Sequence, residues 1–421
     1  MKQSKNIFSR SPFLANVTKL LSVNVLVQIF AFALSTIITR LYSEDDFGLL
    51  AKFMSIASIF VLFGTLRLEF AIILPKKEQE ANALMSLGFL FSLLSALLSF
   101  VVLYFCSHHL NTYFNINSVQ DWIFIMPFTI FFIASFNLLI NYKNRQKKYN
   151  EIAAGQVVQG ISNPLTSYGF YGIINYGLIQ ALLFANFLGS LYLGFTLLNK
   201  KVFNSSLNLK QVLQKYYRFP TFNLSHALIN NVSSSLPVFM LSPVFENYFI
   251  GLFTMAIGKI FKPIHLFNNV IYQVFSKKIV DDVHLNKDVS KQFKKVVFTL
   301  VIIGIVPFTL MYFFAPEIFS FVFGKKWFQA GVYIKLMLPW LFMVYLCGSF
   351  SFVPNLFRQQ KNAMLIEIVY LLLRFGALTY GISKSSLEIA LSAYAWTGVF
   401  MLIFTLLWYY YLVKYKKIED E

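Results

Sequence analysis

The sequence predicts an all-α, polytopic membrane protein with twelve spanning helices. Three observations predict it. Only 13% of the 421 residues are charged, whereas a soluble domain carries roughly 25%. Hydrophobic residues make up 57% of the chain, and 49 Phe and 23 Tyr help bring the aromatic share to 18%. They gather in runs long enough to cross a bilayer, and such runs need an apolar solvent. The third observation is the placement of positive charge. The formal net charge of +18 would suit a nucleic-acid binder, but the cations sit in short gaps between apolar runs, where no continuous basic face can form.

A span takes about 20 residues, and more when it tilts. The twelve expected spans are 20–39, 47–74, 83–105, 121–142, 152–171, 174–198, 219–241, 247–275, 296–315, 329–356, 362–381 and 388–413. The first follows a basic start (Lys2, Lys5, Arg10, Lys19) and lacks a small-residue cleavage site, so it reads as an uncleaved span. The second, eighth and tenth exceed the length of an upright helix, so they are expected to tilt, bend or project. The fifth and sixth are separated only by Gly172 and its neighbours.

Charge asymmetry supports this count. With the N-terminus on the cytoplasmic side, 26 of the 36 basic residues fall in cytoplasmic segments. Only Arg40, Lys325, Lys326 and Lys384 fall outside. One missed span would invert everything after it, so both termini are expected in the cytoplasm. The loops are short. The segment 199–218 divides the chain into halves of six spans, giving expected domains 1–198, linker 199–218 and 219–421. Its stretch LNLKQVLQKYYRF alternates Leu207, Leu209, Val212, Leu213, Tyr216 and Phe219 with Lys210 and Lys215, the pattern of an amphipathic surface helix.

Charges within spans point to function, because each costs roughly 2.5–3.5 kcal/mol at the bilayer centre. Six cations lie there: Lys52, Arg67, Lys259, Lys262, Lys335 and Arg374. Lys52 and Lys335 are close enough to outer helix ends to snorkel. Arg374 shares a helix face with Glu367, which suggests a common polar cavity. Lys259 and Lys262, three residues apart before Pro263 and His265, are the sharpest signal. Glu69 and Glu367 are the only acids at similar depth. An interior with more cations than acids favours an anion, and phosphate or pyrophosphate fits. Amides such as Asn24, Gln28, Asn137, Gln156, Gln159, Asn163, Asn223, Asn230 and Asn231 offer hydrogen bonds suited to sugar hydroxyls, although each alone also serves helix packing.

Enzyme constellations are not evident. There is no phosphate loop with its Lys, no HExxH helix and no nucleophile elbow. His108–His109 lacks the ligands of a metal site, and Cys106 and Cys347 read as apolar fillers. No metal and no cofactor is expected.

Four stretches carry a family resemblance. STIITRLYSEDDFGLLAKFMSI with TLRLEFAIILPKKEQEA resembles the N-terminal signature of bacterial O-antigen and capsular polysaccharide flippases. YRFPTFNLSHALINNVSSSLPVFMLS resembles their seventh span, and GLFTMAIGKI followed by Gln273, Val274 and Phe275 their eighth. FAPEIFSFVFGKKWFQAGVYIKLMLPW resembles their ninth-to-tenth hairpin. That family belongs to the multidrug/oligosaccharidyl-lipid/polysaccharide exporter superfamily.

The resemblance implies two six-helix bundles around a central cavity in the bacterial cytoplasmic membrane. It implies that an undecaprenyl-pyrophosphate-linked oligosaccharide crosses from the inner to the outer leaflet, and the expected mechanism is alternating access. Lys259, Arg67, Lys262 and Arg374, with Asn24, Gln28, Asn230 and Asn231, are then the expected substrate-binding residues. Glu69 and Glu367 are the expected ion-coupling residues. Expected partners are the lipid-linked oligosaccharide, membrane lipids, a polysaccharide polymerase and a chain-length regulator, with no nucleic acid. Two rivals are weighed against this reading. A cation-coupled drug exporter should keep more buried acids, and a membrane polysaccharide polymerase should show a large outer loop.

Overall fold

The computed structural model describes residues 30–116, 119–195, 197, 208–284 and 288–415. Among them every long element is a helix. Three helices open the described chain: α1 (Phe30–Leu41), α2 (Glu44–Thr65) and α3 (Leu68–Ala71). Then follow α4 (Glu78–Phe114), α5 (Val119–Arg145), α6 (Tyr149–Phe170), α7 (Gly177–Phe195) and α8 (Leu209–Lys215). The remainder comprises α9 (Leu224–Leu241), α10 (Asn247–His284), α11 (Ser290–Phe323), α12 (Phe328–Gly348), α13 (Val353–Leu356), α14 (Gln360–Ser383) and α15 (Leu387–Tyr415). Among the described residues, nine helical segments are long and apolar enough to cross a membrane. The fifth and seventh expected spans are present as α6 and α9, which are more polar. Residues 20–29 of the first lie outside the described part. The chain is an all-α, multi-pass membrane protein.

Local chemistry sets where helices begin and end. Ser43 and Asp46 form a capping box at the start of α2: Asp46 N–H donates to Ser43 Oγ at 3.2 Å, and Ser43 N–H donates to Asp46 Oδ2 at 2.9 Å. Glu44, Asp45 and Asp46 also place negative charge at the positive end of the helix dipole. At 37 residues, α4 is about 55 Å long. That exceeds a hydrocarbon core of about 30 Å, so α4 extends past the bilayer. The expected loop 276–295 is largely helical, because α10 runs to His284 and α11 starts at Ser290. Loss of hydropathy marks the edge of the membrane, and a helix continues beyond it wherever its residues tolerate water.

Two compact units divide the chain, Met1–Val232 and Ser233–Glu421. In the first, α4 packs along α5, α6 along α7, and α2 against α4 and α5. In the second, α12 is the central helix and contacts α10, α11 and α15. Close approaches depend on glycine. A Cβ on Gly331 would fall 2.5 Å from the Ala315 carbonyl oxygen and 2.6 Å from the Pro316 nitrogen.

The amphipathic helix expected in the linker is α8. The Asn208 side chain caps it by accepting from Lys210 N–H at 3.0 Å. Val212 and Tyr216 are buried in one apolar cluster with Met85, Leu139 and Leu197. Lys215 Nζ donates to Glu80 Oε2 at 2.8 Å, and Tyr216 donates its hydroxyl to the same oxygen at 3.1 Å. The Lys215 hydrogen bond holds the Glu80 carboxyl below its ordinary value, and Glu80 raises the Lys215 ammonium.

Candidate functional site

The second expected span is a broken helix. α2 stops at Thr65, and Leu66 and Arg67 follow in left-handed conformations with φ of 47° and 60°. Such a conformation costs a non-glycine residue about 1–2 kcal/mol. The break returns the Arg67 guanidinium toward Glu69, with Nη1 3.5 Å from Oε1. The Arg67 guanidinium also lies 4.9 Å from the centre of the Phe70 ring. The Glu69 side chain is 5% exposed and that of Arg67 29%. Both keep spare capacity, because Arg67 Nε and Glu69 Oε2 are buried without a hydrogen-bond partner among the described residues.

Neighbouring helices donate to carbonyls on both sides of the break, as suits a helix interrupted inside a membrane. Ser92 Oγ donates to the Gly64 carbonyl at 3.0 Å and Ser95 Oγ to that of Phe60 at 2.6 Å. Arg145, from the end of α5, donates to the carbonyls of Ile72 and Ile73 at 3.4 Å and to that of Pro75. Arg145 looked like one more cytoplasmic cation in the sequence. Nothing there signals that it holds the end of this broken span.

In the same unit, Ser58 Oγ on α2 lies 3.2 Å from Asn231 Oδ1 on the first half of α9 and donates to it. Asn230 is exposed beside it. Gln159 pairs with Asn186 at 2.8 Å, a packing role between α6 and α7. Asn24 and Gln28 lie outside the described residues.

In the second unit, Lys259 and Lys262 share one face of α10, with His265 one turn further on. Lys259 is half-buried, and its Nζ lies 5.5 Å from the Phe323 ring centre. Lys262 and His265 are exposed. Among the described residues neither lysine has an acidic partner within ion-pair distance. This face therefore carries uncompensated positive charge.

Arg374 departs from the shared polar cavity expected with Glu367. It is 7% exposed and enclosed by rings, with its Cζ 3.8 Å from Tyr370, 4.7 Å from Tyr394 and 5.3 Å from Trp340. It donates to Tyr370 Oη at 2.5 Å and Ser233 Oγ at 3.2 Å. Aromatic faces take the place of a carboxylate. Glu367 is half-buried and makes no ion pair among the described residues. The one-turn spacing of Tyr370 before Arg374 was visible in the sequence, but Trp340 and Tyr394 come from α12 and α15.

Lys52 does not snorkel. It is fully buried, and Nζ donates to the Phe114 carbonyl at 2.5 Å. The C-terminal end of α4 receives this side chain. Lys335 lies 5.1 Å from the Tyr312 ring centre. Among the described residues, no cluster of three His, Cys, Asp or Glu side chains is placed to hold a metal.

The family model described as "Polysaccharide biosynthesis protein" matches residues 37–332. The chain belongs to that family. The match covers well over half of the chain, including the broken span, the α10 face and the linker. No curated protein matches the chain significantly. Among solved structures, the lipid II flippase MurJ in an inward closed conformation is similar, with a TM-score of 0.69 and 13% identity over 93% of this chain and 89% of that one. An inward-facing multidrug resistance MATE family transporter of the MOP superfamily is similar at 0.65, with 12% identity over 94% of each chain. A MOP superfamily transporter from Pyrococcus furiosus, described as having a binding pocket of reverse polarity, is similar at 0.60, with 13% identity over 98% and 99%. At such identities the likeness establishes the fold, that of MOP superfamily transporters.

Proposed function

We propose that this polysaccharide biosynthesis protein carries an undecaprenyl-pyrophosphate-linked oligosaccharide from the cytoplasmic to the outer leaflet of the bacterial cytoplasmic membrane, without catalysing a covalent step. The observation that carries this reading is the α10 face, where Lys259 and Lys262 bring two cations into a spanning helix without a neighbouring acid. A diphosphate supplies the missing negative charge. Arg67 offers a second grip, part-exposed at a helix break of the kind found at transporter binding sites. Amides such as Asn230, Asn231, Asn24 and Gln28 suit sugar hydroxyls, and Arg374 supports the second unit through its aromatic enclosure. Glu69, with one oxygen unpartnered, and Glu367 are the groups for ion coupling. Both termini lie in the cytoplasm, and transport proceeds by alternating access. The product serves a polysaccharide polymerase and its chain-length regulator.

The test is reconstitution of the full chain in liposomes with radiolabelled lipid-linked oligosaccharide in one leaflet. Wild type equilibrates the label between leaflets, and Lys259→Ala does so at least tenfold more slowly. Equal rates in both proteins refute the proposal. Efflux of a cationic dye by wild type, with no movement of the labelled lipid, points instead to a drug exporter.

A further inference from the structure

An apolar groove of about 410 Å³ runs along the first unit between α4, α5 and α7. Met85, Phe89, Phe131, Leu139, Leu191 and Phe195 help line it. Phe195 is 69% exposed and Leu191 47%. Gly194 opens its wall, since a Cβ there would meet nothing within 4 Å. From Phe131 to Leu139 the groove follows α5 for about 12 Å. These residues belong to spanning helices, where lipid is the surrounding solvent, and the lining suits a hydrocarbon chain.

The cytoplasmic end of the groove is not apolar. Met85, Leu139 and Leu197 belong to the same cluster that buries Val212 and Tyr216, so α8 sits at that end. The α8 segment leaves Lys210 and, just past its end, Arg218 exposed, while Lys215 turns toward Glu80 on α4. Lys215 is engaged by Glu80, whereas the side chains of Lys210 and Arg218 have no ion-pair partner among the described residues. A hydrocarbon groove with two spare cations at the cytoplasmic interface is complementary to a lipid with an anionic headgroup.

We propose that this groove and the α8 segment bind one anionic phospholipid of the cytoplasmic leaflet, with an acyl chain between α4, α5 and α7 and the phosphate against Lys210 and Arg218. Such a lipid anchors the linker to the first unit. This inference is independent of the transport reading, because neither cation belongs to the proposed substrate site.

The test titrates the purified full chain in detergent with phosphatidylglycerol or phosphatidylcholine and counts bound lipids by native mass spectrometry. Wild type binds one phosphatidylglycerol about thirtyfold more tightly than phosphatidylcholine, at about fivefold per cation. Lys210→Gln/Arg218→Gln changes only exposed side chains, and it brings phosphatidylglycerol down to the phosphatidylcholine level. Gly194→Leu fills the groove and removes both lipids while the thermal unfolding midpoint is kept. Equal affinity for the two lipids in wild type overturns the proposal. So does phosphatidylglycerol binding that survives the double substitution, or displacement of the lipid by one equivalent of a polyprenyl phosphate. That last outcome assigns the groove to the substrate tail.

Discussion

Arg67 and Glu69 stand 3.5 Å apart immediately after the two left-handed residues that break the second span. A continuous helix would send side chains two positions apart in very different directions. The break therefore creates the pair. It also leaves Arg67 Nε and Glu69 Oε2 buried without a hydrogen-bond partner among the described residues.

Arg67→Lys keeps the charge and loses the planar fork. Leaflet exchange of the labelled lipid is expected to fall about tenfold, at near-normal protein levels. Arg67→Ala does more, because it leaves the buried Glu69 carboxylate uncompensated. Stranding one member of a buried pair costs about 3–5 kcal/mol, so the thermal unfolding midpoint should drop as well.

Lys259→Ala should behave in the opposite way toward stability. Lys259 has no acidic partner to strand among the described residues, so removing it relieves a half-buried charge. An unchanged or raised unfolding midpoint is expected alongside lost transport, and Lys259→Arg should restore exchange. A large fall in the midpoint on Lys259→Ala would show a structural role instead.

Arg374→Lys should destabilise the second unit by about 1–3 kcal/mol. An ammonium cannot stack against Tyr370, Tyr394 and Trp340 while reaching Tyr370 Oη and Ser233 Oγ. A double-mutant cycle with Tyr370→Phe should show coupling of about 1 kcal/mol or more by thermal unfolding. Additive effects would mean that the enclosure is only packing.

Gly331→Ala presses a methyl group onto the backbone of Ala315 and Pro316, which cannot rotate away. A loss of about 1–3 kcal/mol is expected. Gly194→Ala meets open space inside a helix and should gain up to about 1 kcal/mol from propensity alone. Comparing the two unfolding midpoints checks both.

The clamp between Glu80 and Lys215 should release in acid. Glu80 has a lowered folded value, so its contribution is present above the unfolded value near 4.5 and is lost as pH falls through the folded value. Lys215 has a raised folded value, so its contribution is present below about 10.5 and is lost only as pH rises through the folded value. Hydrogen exchange in residues 209–216 should therefore quicken in acid and stay slow through neutral pH. Glu80→Gln should remove the acid limb.

Much of the architecture was legible because hydropathy has the length scale of the bilayer. Each apolar stretch falls on helical structure, the second on α2 with α3 and the tenth on α12 with α13, and residues 20–29 of the first lie outside the described part. The Leu, Val and Tyr spacing of 207–219 also announced α8. The site was less legible. Lys259 and Lys262 could be placed on one face because helical spacing is local. By contrast, Arg145 reaches the carbonyls of Ile72, Ile73 and Pro75 from 70 to 73 positions away. Lys52 looked able to reach water, yet α4 ends over it.

Composition and charge order by themselves determined that the chain is helical, many times membrane-crossing and cationic inside, since solvent matching acts residue by residue along the chain. Tertiary structure alone decided which of those cations is paired, caged or left bare. That outcome depends on side chains and carbonyls arriving from distant helices, and no local pattern records such meetings.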